Sequence, residues 1–315
     1  MGQSSFFIRL ILLIMVVFSS AKNGATQEPR REFRGFTSGT SMSVNCDGHW
    51  LLVNSSNDVE LFHTRTGIQI RKFSAHKTAV SAVAAHPRKR VAVTGDESGQ
   101  LYLWNIDDLK IIQTYAPQGD AIKSIRFNKE GSQFVAIIGS GNRVRLFDLM
   151  HAKHISGNDD NLLEIEATDL NEIKNQLFTA HDNGTVGVWF ATDSLRKSKT
   201  WKAHEGAVTG VQSLRNGQIL TVGKDRTIKI WDANFKNIKN YIVESSIAGI
   251  AVSSDQKMAA LALGDGKTVV LDISTGLIKF QFDSKNKVKN VVFHPTEPLI
   301  IALYNDNAAR SWLLK

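Results

Sequence analysis

The sequence predicts an all-β protein in which seven four-stranded antiparallel units are stacked in a ring, and three observations carry the prediction. The stretch from His204 to Asp232 holds three short runs, Ala207–Val211, Gln218–Val222 and Ile228–Trp231, rich in Val, Ile and Thr. Arg215-Asn216-Gly217 and Gly223-Lys224-Asp225 part them, and runs of this length bounded by Gly, Asn and Asp read as strands of a meander. The residue closing the third run recurs at Phe62, Trp104, Phe147, Trp189, Trp231, Leu271 and Trp312, spaced 42, 43, 42, 42, 40 and 41 residues apart. A period near 40 marks units that bury their faces against one another around an axis. Six residues before each of these positions stand Ser56, Ser98, Gly141, Asn183, Asp225, Asp265 and Asp306, small or polar residues suited to a tight turn.

The unit ending at Trp231-Asp232, with Ala203-His204 28 residues before the Trp, resembles the WD40 repeat. The resemblance implies a hydrogen-bonded tetrad of His204, Thr221, Asp225 and Trp231, in which imidazole, hydroxyl, carboxylate and indole satisfy one another. Blade 2 offers His76, Thr94 and Trp104, with Ser98 where the Asp belongs and Asp96 two residues early. Blade 4 keeps Thr179 and Trp189, but has Asn183 in the turn and Asp160 or Asn161 near the His position. Blade 3 lacks both His and Trp, and Ile137 and Phe147 point to apolar packing. Blades 1, 6 and 7 hold the strand pattern alone.

In chain order, the first segment stands apart. Arg9 precedes the unbroken apolar run Leu10–Phe18, and Ser19-Ser20-Ala21 follow with small side chains. Residues 1–21 therefore read as a secretory signal, cleaved near Ala21, because the run is shorter than the roughly 20 residues of a spanning helix. An exported protein, periplasmic or secreted, is the expectation; an uncleaved membrane anchor is the alternative. Residues 22–31 form a polar linker, and residues 32–315 form the propeller. The last repeat stops at Lys315 after its third strand, which would leave an open sheet edge. In WD40 proteins an N-terminal segment closes the ring, and Glu32–Phe36 is the candidate.

Hydrophobic residues make up 42% of the chain, enough for a large core, and a single cysteine, Cys46, rules out a disulfide framework. The formal charge of +8 drops by one when Arg9 leaves with the signal. Such a moderate basic balance favours anionic surfaces in general and predicts no specific nucleic acid.

No G-x-S-x-G, H-E-x-x-H or Gly-rich phosphate loop occurs. His76 and His204 belong to tetrads, and His86 and His294 sit in matching His-Pro turns. His151 and His154 have loose metal spacing without a nearby carboxylate or Cys, so no metal, cofactor or catalytic set is expected. The expectation is a monomeric, non-enzymatic scaffold that binds a protein or peptide through loops on the top face, the face that carries the entry to each blade. These loops hold Lys77, Asp120, Asp160, Glu205, Glu244 and Lys287. Arg88, Lys89 and Arg90, with Arg196–Lys199, are placed on the bottom as a rival site for an anionic surface. The alternative function is a small-molecule or hydrolytic site in the central channel. Asn54-Ser55-Ser56 and Asn183-Gly184-Thr185 are glycosylation sequons.

Overall fold

The computed structural model describes residues 15–16, 27–139, 143–149, 154–158, 163–171, 174–191 and 195–315. Seven antiparallel sheets follow one another along the chain. Their innermost strands are Met42–Val44, Val80–Ala85, Ile122–Phe127, Ile165–Asn171, Val208–Ser213, Ile247–Val252 and Val288–Phe293. Six blades then add three consecutive strands outward, for example Ile219–Gly223, Thr227–Trp231 and Asn237–Ile242 in blade 5. The segment expected to be a signal, apart from Met15–Val16, lies outside the described residues. Those two residues form a short strand parallel to Tyr241–Ile242 on the outside of blade 5.

Ring closure comes from Arg31–Phe33, which pairs antiparallel with Ala309–Ser311 as the outer strand of blade 7. The strand thus begins one residue earlier than expected and ends at Phe33. Phe36 lies beyond it, packed edge-on to Phe62 with ring centroids 5.9 Å apart. Charge fastens the joint, since Arg310 lies 2.8 Å from Glu32 and 2.5 Å from Asp306. Arg30 meets Glu297 at 2.8 Å.

Burial peaks at the second strand of each blade, since the innermost strands border the axial channel. Second strands are covered on both faces, so Leu299–Tyr304 is buried throughout and reads as a continuous apolar run. Outer strands face solvent, and in Leu195–Lys202 residues 196–200 are all exposed. One apolar cluster sits between each pair of adjacent blades. The cluster joining blade 7 to blade 1 includes Phe33, Leu51, Phe62, Ile301 and Leu303. No single hub exists; the core is a ring of seven interfaces, each dependent on its two neighbours.

Candidate functional site

In blade 5 the four expected groups meet. His204 Nδ1 lies 2.9 Å from Asp225 Oδ1, and His204 Nε2 lies 2.8 Å from Thr221 Oγ1. The Trp231 indole donates to the same hydroxyl at 2.8 Å. Asp225 also accepts from the Thr227 hydroxyl at 2.7 Å and the Glu205 amide at 3.0 Å. Burial alone would raise the Asp225 pKa, but the bonds and charge of His204, with those of Thr227 and Glu205, hold it well below the usual carboxylate range. Gly223 leaves room for the imidazole, because a Cβ there would lie 2.9 Å from the His204 ring.

Blade 2 takes its acid two residues before the turn position that Ser98 holds. Asp96 fills the acidic role from the end of the second strand, 2.8 Å from His76 Nδ1, while His76 Nε2 reaches Thr94 at 2.8 Å. Ser98 supports that carboxylate, donating its amide at 2.9 Å and its hydroxyl at 2.7 Å. Burial pushes the His76 pKa down against the opposing pull of Asp96. Trp104 stacks on Phe73 with centroids 4.3 Å apart, and its buried N–H has no hydrogen-bond partner among the described residues.

Blade 4 takes its histidine from another position. Trp189 donates to Thr179 Oγ1 at 2.9 Å, and His181 Nε2 lies 2.9 Å from that hydroxyl. The histidine comes from the second strand, not from the entry loop; Asp160 and Asn161 lie outside the described residues. Burial, with Lys197 nearby, pushes His181 down to about 4. In blade 7 the Trp312 indole donates to the Tyr304 hydroxyl at 3.2 Å. Blade 3 packs apolarly, with Phe134 stacked on Phe147 at 4.8 Å.

Asp96, His181 and Tyr304 share one register, eight residues before the Trp of their own blades. Gly223 holds that register in blade 5 and Asn54 in blade 1. The repeat spacing already contained this signal, but the resemblance directed attention to the turn position two residues later. Asn54 is buried and ties two blades, accepting from the Thr40 and Ser41 amides at 2.9 and 2.8 Å and donating to the Val80 carbonyl at 2.7 Å. Folded Asn54 is therefore closed to glycosylation, whereas Asn183 is exposed.

His86 and His294 pin neighbouring blades. His86 Nδ1 accepts from the Arg88 and Lys89 amides at 2.9 and 3.0 Å, and its ring occupies the space that a Cβ on Gly131 of blade 3 would fill. His294 accepts from the Glu297 amide at 3.0 Å and donates through Nε2 to the Gly48 carbonyl of blade 1 at 2.8 Å.

The top-face residues Lys77, Asp120, Glu205, Glu244 and Lys287 are all exposed. Asp160 lies outside the described residues, as do His151 and Gly141. Asp120 meets Arg143 at 3.0 Å and Glu244 meets Lys267 at 2.8 Å. The bottom cluster is largely neutralised: Arg88 pairs with Glu130, and Arg90 pairs with Asp47 and with Asp107. Lys89 is exposed between them. Arg196–Lys199 lies within the outermost strand of blade 4, which starts at its bottom end, with Arg196 level with Phe190 and Gln176, and runs up the outer edge of the blade.

An axial channel of about 240 Å³ is lined by all seven innermost strands, with no His, Cys or Tyr among the lining residues. Lys289 reaches the Gly39 carbonyl at 2.9 Å and Lys123 meets Glu164 at 2.5 Å. Arg126 opens onto the channel, and the surrounding protein lowers its pKa while Asp169 opposes the shift. Asp169 itself spans to blade 5, accepting from the Ser213 amide at 2.7 Å. The channel's polar groups mostly bind main chain or bridge blades.

The fold defines a seven-bladed β-propeller, and blades 2 and 5 carry the His, Thr and Asp groups that the resemblance implies. Residues 67–105 and 195–232 match the family model "WD domain, G-beta repeat", and each stretch ends within two residues of the Trp of blade 2 or blade 5. The chain is 21% identical over 261 residues to eukaryotic translation initiation factor 3 subunit I of Drosophila willistoni, covering 78% of this chain and 80% of that protein. It is 22% identical over 275 residues to nuclear distribution protein nudF of Aspergillus niger, covering 76% and 60%. Autophagy-related protein 16 of Arabidopsis thaliana matches at 22% identity, covering 70% of this chain and 44% of its own length.

Proposed function

We propose that this protein is a non-enzymatic scaffold that presents its top-face loops to a protein or peptide partner. The anchoring of Glu205 carries the reading: its side chain is exposed while its amide is fixed at 3.0 Å on Asp225. The brace that stabilises blade 5 therefore also holds a charged loop in place, and a preordered loop loses less entropy on binding. Lys77 holds the same place after the brace histidine, His76, in blade 2. Asp120 and Glu244, partly satisfied by Arg143 and Lys267, contribute to the field more than to specific contacts. Asp160 would complete the acidic sector. The WD40 relatives, among them a translation initiation factor subunit and an autophagy-related protein, support an interaction role.

The same proposal includes export. Leu10–Phe18 followed by Ser19-Ser20-Ala21 supports removal of residues 1–21, and the Met15–Val16 pairing would leave with them. Amino-terminal sequencing of the native protein should begin at Lys22; a sequence beginning at Met1 or Gly2 would overturn export by cleavage.

For the binding face, partner capture from the native compartment should succeed with wild type. With the recovered partner, E205K/E244K should associate more slowly and with a flatter salt response, since rim charges act mainly on encounter. Unchanged kinetics in E205K/E244K, with binding lost on removing charge at Arg88–Arg90, would move the site to the bottom.

A further inference from the structure

We propose that the outer strand of blade 4, Leu195–Lys202, is a second docking edge that takes an extended acidic protein segment as an added β-strand. This goes beyond the top-face reading and can fail independently of it. The strand is eight residues long, whereas the other outer strands of blades 1 to 6 have five or six. As the last strand of its sheet it is bonded on one side only, leaving about 27 Å of outward amide and carbonyl groups. Open edges of this kind recruit extended peptides by main-chain pairing.

Cations select the partner. Arg196, Lys197, Lys199 and Lys202 lie on this strand, with no acidic residue in it. Lysines on an edge commonly serve to discourage unwanted pairing. Yet the other outer strands of blades 1 to 6 manage with two cations at most: Arg71 and Lys72 in blade 1, Lys239 in blade 5, Lys279 in blade 6, and none in Ile111–Tyr115 or His154–Asn158. Four exceed what protection requires.

Their pairing is also distinct. Lys72, Arg88, Arg90, Lys123, Arg143 and Lys267 each have a carboxylate partner. Among the described residues none of the four strand cations has one. Instead Lys197 lies over Trp189 at 5.6 Å, Lys199 lies over Phe235 at 4.4 Å, and Lys202 reaches the Asn183 carbonyl at 3.1 Å. Phe190, paired across from Arg196, is 44% exposed and offers an apolar contact beside the charges. A strand with alternating acidic and β-branched residues would answer both the charges and the apolar surface while completing the backbone ladder.

Fluorescence anisotropy tests this with the full chain and a labelled peptide of alternating Glu and Val, about ten residues long. Wild type should bind it. R196E/K197E/K199E should weaken binding at least roughly tenfold, and E205K/E244K should leave it unchanged. The same peptide with alternate amides N-methylated should lose about as much, because methylation removes the donors of the ladder. Equal binding of the methylated peptide, or no loss in the triple variant, overturns the proposal. Tighter, mutation-sensitive binding of oligothymidylate or of phosphatidylserine vesicles than of the peptide overturns the choice of partner.

Discussion

Removing the acid of a brace should expose which carboxylates hold the blades. Asp96→Ala takes an acceptor from four donors: His76 Nδ1 at 2.8 Å, the Ser98 amide and hydroxyl at 2.9 and 2.7 Å, and the Gln100 amide at 3.0 Å. His76 and Asp96 are both buried, so water cannot readily replace what is lost. Hydrogen bonds to a charged group are worth about 1.5–3 kcal/mol each, and a stranded buried donor costs about 1–3 kcal/mol. The exposed turn amides can recover water, so the net loss should be roughly 2–4 kcal/mol. Asp225→Ala should cost a similar amount, although Thr227 Oγ1, 2.9 Å from His204 Nδ1, can take over part of the bond. Ser98→Ala removes one hydroxyl and leaves the other three donors to Asp96, so it should cost under about 1 kcal/mol. Urea unfolding of the three variants, with unchanged denaturant slopes, measures the order. If Asp96→Ala costs no more than Ser98→Ala, Asp96 is not the acid of the blade 2 brace.

Acid should loosen the ring before it unfolds acidic groups. His181 binds its proton at about 4 in the folded chain against about 6.5 unfolded, so the unfolded state holds more protons between those values. Its contribution is fully present above pH 6.5 and is lost as pH falls toward 4, by roughly 3 kcal/mol if it acts alone. His76, His86 and His294 are also shifted down, chiefly by burial, and add in the same direction; urea midpoints across this range should show a shallower fall in H181Q. Arg226 adopts a left-handed φ of 66° where blades 2, 4 and 6 place Gly99, Gly184 and Gly266, so R226G should raise stability by about 0.5–1 kcal/mol. Gly184→Ala should destabilise clearly, because its Cβ would lie 2.2 Å from the His204 carbonyl oxygen. If the protein passes a glycosylating secretory path, N183Q should abolish the mass shift, and N54Q should leave it intact while lowering the unfolding midpoint.

Much of this architecture was legible in the chain. The 40–43-residue spacing of the closing residues determines seven units, because stacked sheets need the same length of chain per blade. The tetrad of blade 5 was readable for a local reason: His204, Thr221, Asp225 and Trp231 lie within 28 residues of one another, on two adjacent strands and the loop and turn beside them, so repeat register alone brings them together. Tertiary structure decided what depends on which groups share a buried space. Asp96 and His181 recur in one register of the repeat, but only the folded blades show that side chains at the end of the second strand turn inward to reach His76 and Thr179. Arg88 and Arg90 looked like a free basic patch until Glu130, Asp47 and Asp107 were brought to them from other turns. Arg196–Lys199 proved to be part of an edge strand and not of a turn, because the strand begins at Leu195. Asn54 passed from a surface sequon to a buried tie between blades 1 and 2. Sequence determines periodicity and local turns, which are set by neighbours in the chain; burial and charge pairing between blades are set by groups 26 residues apart for Asn54 and Val80 and 42 for Arg88 and Glu130, and only packing of blade on blade brings those together.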